Sequence, residues 1–430
     1  LLDLSGVVEL PKAALARWAS IFFSLSVLTF LLSIAASQLC LTLAALLYFA
    51  HLLHAKPTPV IEFPPVKLPL ALFCLWTIIS VFFAEFPAAG GFTIRKLTLF
   101  LILLLTINLV ASSRHLVFLL KALFVEAAVA GIVGAAQFVR QYHAVRIHHP
   151  HKIYLYMTVT RIVGFQGHWM NFGGQQMIIF SALLAFLLLA AKWKLAAAPG
   201  ETRAKPGGAR PKLWWLVLAV VALSILLNLT RGVWLGCFVA TVYLVARWRA
   251  RWLWALPALI ALTLIAGPRM LQRREESVLH PSRDTSLAER FEMWQVGWRM
   301  IKKHPLVGVG PENIPALYDF YLPPGKAPIL GYHDHLHDNF IQLAAERGLP
   351  CLAAWMWLMG AFLWHCLRIR RRRSRLRWVV DAGIAAWLAL LVEGVFEFNF
   401  GSSPVLMVFL FMMTAPFAAE IVERRLAARE

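Results

Sequence analysis

Residues 213–246 read LWWLVLAVVALSILLNLTRGVWLGCFVATVYLVA. As one helix this run would be about 50 Å long, well beyond a hydrocarbon core of roughly 30 Å. Basic residues flank both ends, with Arg210 and Lys212 before it and Arg247, Arg249 and Arg251 after it. A single pass would put one of these clusters outside, against the rule that short cytoplasmic loops hold the Lys and Arg. Two short passes meeting near Asn228-Leu229-Thr230-Arg231-Gly232 keep both clusters on one side. Arg231 then lies at the outer turn, beside a glycine that permits a tight bend.

The same logic extends to the whole chain. Its 430 residues are 60% hydrophobic, with a mean hydropathy of +0.67. That composition excludes an ordinary soluble domain. Apolar runs of membrane-spanning length fall near 16–36, 38–54, 68–86, 97–112, 115–139, 172–191, 213–229, 232–246, 252–268, 349–367, 378–398 and 403–420. The expected fold is an all-α integral membrane protein of about twelve transmembrane helices, with a large, partly helical outer loop before the tenth span. The first run reads as a span, with no small-residue cleavage pattern after it.

The net charge of +20 has a topological origin. Lys192, Lys194, Arg203, Lys205, Arg210 and Lys212 share one loop, and Arg368, Arg370, Arg371, Arg372, Arg373, Arg375 and Arg377 share another. With Arg424, Arg425 and Arg429 at the end, the pattern places both termini in the cytoplasm and argues against nucleic acid as a partner. Membrane lipids are the expected surroundings. The five cysteines, Cys40, Cys74, Cys237, Cys351 and Cys366, all fall in expected spans and imply neither a disulfide framework nor a zinc site.

Three parts follow. Residues 1–268 hold the first nine spans, an outer segment at about 140–171 and a cytoplasmic linker at about 192–212. Residues 269–347 form an outer cap with ten basic and ten acidic residues, unlike the basic inner loops. Within it Ser286 and Glu289 make a capping box, and Leu287, Phe291, Trp294, Trp298 and Ile301 recur at helical spacing, which predicts an amphipathic helix at about 287–303. Residues 348–430 carry the last three spans and a cytoplasmic tail.

The chemistry concentrates in Tyr332-His333-Asp334-His335-Leu336-His337-Asp338-Asn339-Phe340, just before a span. Histidine titrates near neutrality and serves as a general base. His333 and His337 would share a face if helical, so a metal site with Asp334 or Asp338 is one reading, though the HExxH context is missing. A single catalytic base held by polar neighbours is the other, beside a purely structural one. Arg161, Arg231 and Arg290 fall on three other outer segments, and each taken alone is explained by snorkelling or solvation. Taken together with a histidine they suit a lipid diphosphate. Guanidinium forks bind phosphate oxygens and stay charged, and a neutral histidine can take a proton from an attacking sugar hydroxyl.

These residues resemble the bacterial O-antigen ligase family, part of a superfamily with O-antigen polymerases and protein O-oligosaccharyltransferases. The matching pieces are Arg161-x-x-Gly164 with His168 and Asn171, and Thr230-Arg231-Gly232-Val233-Trp234-Leu235. Two more are Arg290-Phe291-x-x-Trp294 leading to His304-Pro305-Leu306-Val307-Gly308-Val309-Gly310, and His335-x-His337 with Gln342, Glu346 and Gly348-Leu349. The resemblance covers most of the chain from about residue 90. It implies a glycosyltransferase of the bacterial inner membrane with its site facing the periplasm. The donor would be undecaprenyl-diphosphate-linked O-antigen and the acceptor the lipid A–core oligosaccharide, with inversion and no metal or other cofactor.

By position, the resemblance makes His337 the general base and gives Arg161, Arg231 and Arg290 to the donor diphosphate. His335, Asp338, Asn339 and His168 become supporting candidates. Many relatives carry asparagine directly after the histidine, whereas Asp338 stands here with Asn339 next. Asp338 then orients His337 or stabilises its charge, or the register slips by one. The competing class, a lipid-glycan flippase or transporter, calls for ionisable residues deep in the spans. The mid-span polar residues are few, mainly Glu126, Asp381 and Glu393, and the basic candidates gather at the outer face.

Overall fold

The computed structural model of the chain describes residues 13–196, 211–255, 257–258, 285–325, 335–372, 374 and 376–427. Among them every regular element is helical. The chain runs through α1 (Ala14–Val27), α2 (Ile34–His54), α3 (Lys67–Phe82), α4 (Gly91–Leu109) and α5 (Ser113–His148). A short α6 (Ile153–Val159) precedes α7 (Trp169–Ala196), α8 (Pro211–Leu227) and α9 (Arg231–Arg249). Then come α10 (Thr285–Lys303), α11 (Asn339–Arg370), α12 (Arg377–Glu393) and α13 (Ser403–Ala427).

Among the described residues seven helices are long and apolar enough to cross a membrane: α2, α4, α5, α7, α9, α11 and α13. Three shorter apolar helices, α1, α3 and α8, join them. The expected span at 252–268, most of the linker at 192–212, residues 269–284 of the cap, and His333 and Asp334 lie wholly or largely outside the described residues.

The core is built around α13. Val405 to Ala419 are buried almost without interruption, because the helix is apolar on every side and is enclosed by α4, α7 and α12. At the edge, α2 keeps Leu39, Leu46 and Leu53 exposed at seven-residue spacing, a stripe suited to lipid. Helix direction alternates along the chain. The starts of α7, α9, α11 and α13 and the end of α12 therefore share one end of the bundle, and Arg247, Arg370 and Arg372 lie at the other.

Several boundaries depart from the sequence reading, α1 ending at Val27 against an expected 36 and α11 beginning at Asn339 against an expected 349. Helix α5 continues through Arg140 to His148 instead of ending at 139, since its polar last turns are still good helix formers. At 36 residues, roughly 54 Å, it projects beyond any hydrocarbon core. Helix α12 stops at Glu393, five residues short of the expected 398, and a non-helical link leads to α13. The α8–α9 turn does fall at 228–230, but its left-handed residue is Leu229 (φ 56°) and not Gly232, which sits inside α9. Asn228 holds that turn by donating to the carbonyls of Ile162 (3.2 Å) and Trp169 (3.1 Å).

The cap has its own apolar cluster. Met293, Val296 and Met300 of α10 pack with Ile314, Tyr318 and Leu336, and with Ala344 and Ala345 of α11. A strap at 305–310 ties it down where α11 kinks at Gly348 (φ 81°), two residues before Pro350. The backbone N–H groups of Val309 and Gly310 donate to the carbonyls of Ala345 and Glu346, and Leu349 donates back to Pro305, each at 2.8 Å. A Cβ on Gly348 would collide with the Leu306 carbonyl, and one on Gly308 with the Glu346 backbone. The His304–Gly310 motif is therefore a backbone clasp, and none of its residues lines the cavity described next.

Candidate active site

At the end of the bundle where α9 and α11 begin lies a cavity of about 420 Å³. Arg161, Arg231, Arg290 and His337 all line it, so four residues from four separate segments meet in one space. Trp169, Met170, Leu235, Met293 and Phe396 supply apolar wall.

Arg161 follows α6 and is held from three sides. Its Nε donates to the Thr158 carbonyl (2.8 Å), its Nη1 to the Thr230 hydroxyl (3.3 Å), and its guanidinium lies 5.2 Å from the Trp169 ring centroid. Arg231 is the first residue of α9. The positive end of that helix's dipole therefore points toward the cavity, a favourable place for an anion. Arg290 reaches in from α10 together with Glu289.

His337 sits in the link entering α11 with φ 51°, a left-handed conformation uncommon for a residue with a side chain and costing of order 1–3 kcal/mol. Neighbouring contacts hold it. The backbone N–H of Leu336 donates to Gln342 Oε1 (2.7 Å), and Gln342 Nε2 donates to Glu346 Oε1 (2.9 Å). Residues 335–338 are not helical, so His337 shares no helix face with residues before it.

Asp338 does something other than orient His337. It is the N-cap of α11, and its carboxylate accepts the Ile341 backbone N–H at 2.7 Å. Burial pushes its carboxyl above the ordinary value, and hydrogen bonds from the Ile341 and Phe340 backbone work against that. Asn339 is a clip. Its backbone N–H donates to Gly394 O (2.7 Å), and its side-chain oxygen accepts from Phe400 N–H (3.2 Å). It thus holds the α12–α13 link against the His337 segment.

That link carries the residue the sequence reading did not single out. Glu397 is buried, and its two oxygens lie 3.1 and 3.0 Å from His337 Nδ1. His335 Nε2 stands 3.6 Å from the same carboxylate, and the two imidazole centroids are 4.7 Å apart. Burial alone would raise the Glu397 carboxyl. The His337 charge, the contact with His335 and the His337 hydrogen bond outweigh it and hold the group well below the carboxylate range. An ionised Glu397 accepting Nδ1–H leaves Nε2 as the basic nitrogen of His337. The available signal was a pair of glutamates, Glu393 and Glu397, at the end of an apolar run, followed by Asn399 to Pro404 in turn-forming composition.

Glu393 also lines the cavity. Gly236 lets α12 approach α9, since a Cβ there would meet the Ala389 carbonyl at 2.9 Å. Of the three carboxylates read as mid-span, Glu393 ends its helix and Asp381 lies near the start of the same one, so only Glu126 is central to a span.

His168 stays outside the cavity lining. Its Nδ1 accepts the Met170 N–H at 3.3 Å, and its ring lies 3.8 Å from that of Trp169. Burial lowers its basicity; Glu397 counters this, while the charges of His335, His337 and Arg161 reinforce it. Among the described residues one cluster has the spacing to hold a metal ion: His335, His337 and Glu397, with ligand atoms within 4.8 Å of one another. His337 Nδ1 is engaged by Glu397 at 3.0 Å, which leaves its Nε2 for a proton or an ion.

Residues 216–356 match the family described as O-antigen ligase. The match begins in α8 and ends in α11, and so takes in Arg231, Arg290 and His337. No curated protein matches the chain.

Proposed function

We propose, from the premise that this chain carries an O-antigen ligase domain, that it transfers a glycan from undecaprenyl diphosphate to the lipid A–core oligosaccharide, at the periplasmic face of the bacterial inner membrane. The observation carrying this reading is the single cavity that gathers three arginines and a histidine backed by a buried carboxylate. Arg161, Arg231 and Arg290 bind the donor diphosphate. An acceptor hydroxyl attacks the anomeric carbon, its proton passes to His337 Nε2, and the bond from that carbon to the diphosphate oxygen breaks. Attack from the face opposite the leaving group inverts the anomeric centre. The arginines stabilise the charge that builds on the departing diphosphate, as preorganised electrostatics does elsewhere. Glu397 fixes the His337 tautomer and stabilises the imidazolium formed. No metal is needed in this scheme.

The test is transfer by the purified protein with a lipid-linked donor and lipid A–core, before and after chelation. Product on lipid A–core, unchanged by chelator, is expected. Lengthened lipid-linked chains would make the protein a polymerase, glycan on a polypeptide would make it a protein O-oligosaccharyltransferase, and loss on chelation would turn His335, His337 and Glu397 into metal ligands.

A further inference from the structure

One acidic group of the cavity has no task in the proposed chemistry. Glu393 closes α12, lines the cavity and is fully buried. Neither of its carboxylate oxygens has a hydrogen-bond donor in place among the described residues. The Asn399 amide is near enough to act on the carboxyl but stands outside hydrogen-bond geometry, and its own Nδ2 is also unsatisfied. Two neighbouring segments fix where Glu393 lies. On one side is the start of α9: a Cβ on Gly232, the residue after Arg231, would touch Glu393 Cγ at 3.4 Å. On the other, a turn closed by the Phe396 N–H donating to the Glu393 carbonyl at 2.8 Å leads to Glu397, the partner of His337. The carboxyl is therefore flanked by the segment of an arginine assigned to the diphosphate and by the segment that holds the histidine.

A buried acceptor left unmatched is costly, and the cost is removed when a ligand brings a donor. Ionised diphosphate oxygens bring none and carry like charge. The hydroxyl and acylamino groups of a sugar do bring donors. In the proposed transfer the first sugar of the donor must lie between the leaving diphosphate and the attacking hydroxyl, because its anomeric carbon is bonded to one and approached by the other. Glu393 borders that interval, and Phe396 and Leu235 add the apolar wall that a ligand site with few polar groups needs. Resting on the diphosphate reading, we infer that Glu393 is a sugar subsite: its carboxyl accepts a hydrogen bond from a hydroxyl or acylamino N–H of the first donor sugar. It thereby selects that sugar and holds its anomeric carbon toward His337. A site built to pair one such group discriminates against sugars that lack it.

The test measures binding to the full-length protein in detergent, without acceptor. The probes are polyprenyl diphosphate, bare or carrying glucose or N-acetylglucosamine, and versions of the tighter glycosylated probe with each hydroxyl or acetamido group removed in turn. In the parent one sugar should add roughly tenfold to the affinity of the bare diphosphate, and removing one particular group should cancel most of that gain. Glu393→Ala should lose the gain, and the same removal should then cost less than about twofold, as a double-mutant cycle requires. Glu393→Gln keeps an acceptor oxygen in the same volume and should retain only part of the gain. Affinity for the bare diphosphate should not fall in either variant, and should fall in Arg231→Ala. A gain left whole in either Glu393 variant, equal losses on group removal in parent and variant, or no gain from either sugar in the parent would overturn the subsite. Bare diphosphate that binds the parent no better than Arg231→Ala would instead break the diphosphate reading, and the subsite falls with it. The parent series and Glu393→Gln decide the matter even if Glu393→Ala does not fold.

Discussion

The two ends of the bundle use the same side chains in opposite ways. At the Asp381 end, Arg247 of α9 and Arg370 of α11 converge on a buried carboxylate of α12. At the cavity end the carboxylate Glu397 is turned to histidine. The guanidinium of Arg161 is steadied by a carbonyl, a hydroxyl and an indole ring, all neutral. The first arrangement fastens helices together through a buried acid, whereas the second places a guanidinium along a shared cavity. Arginine content therefore says little about an anion site; what counts is which groups the arginines are oriented by.

Substitutions at four positions probe that contrast, and the largest effect belongs to the proposed base. His337→Ala should abolish measurable transfer, a loss of about 10⁴-fold at the upper range of general-base contributions, with membrane insertion intact. Near-parental rates would remove the base role.

Next comes Glu397→Gln, which should lower kcat by about 10²-fold because the tautomer and the imidazolium lose their support. It also carries a pH signature. The Glu397 carboxyl is depressed in the fold, so its stabilising contribution is complete above the ordinary glutamate value of about 4.3 and is lost as pH falls through the folded value. Thermal midpoints taken below about pH 4 should fall less steeply in Glu397→Gln than in the parent. Parallel curves would mean that the ion pair adds nothing.

A smaller effect is expected from Arg231→Ala, which should raise the donor KM by roughly 10- to 100-fold, the scale of about 1.5–3 kcal/mol for charged hydrogen bonds, while acceptor KM stays put. Arg231→Lys should recover only part of it. Donor kinetics unchanged in both would take Arg231 out of the diphosphate site. Smallest of all for catalysis is Asp381→Asn. It should cost stability, about 1–3 kcal/mol for weakened charged hydrogen bonds, and leave kcat within about twofold. A large kcat loss would show that the two ends are coupled.

The helices were legible because apolar run length is a one-dimensional signal, and the 213–246 hairpin followed from charge placement alone. Arg161, Arg231, Arg290 and His337 came from motif resemblance, and the fold brings them to one cavity. Glu397 was not legible. Its partner is 60 residues away, and the local signal was only a pair of glutamates closing an apolar run. Asp338 has a role that adjacency did not suggest. Adjacency to His337 suggested electrostatics, whereas a carboxylate one residue before a helix is first of all a cap. The HPLVGVG stretch shows the reverse: a memorable motif near the cavity residues whose work is backbone pairing at Gly348.

The clasp at Gly348 also makes length a fixed quantity. Between the cap Asp338 and the kink lie residues 339–347, spanned by helix whose far end is pinned through backbone atoms. One residue inserted there would rotate the His337 end by about 100° relative to the strap, whatever its side chain. This stretch can exchange many letters and still aim the imidazole, but it cannot change its count.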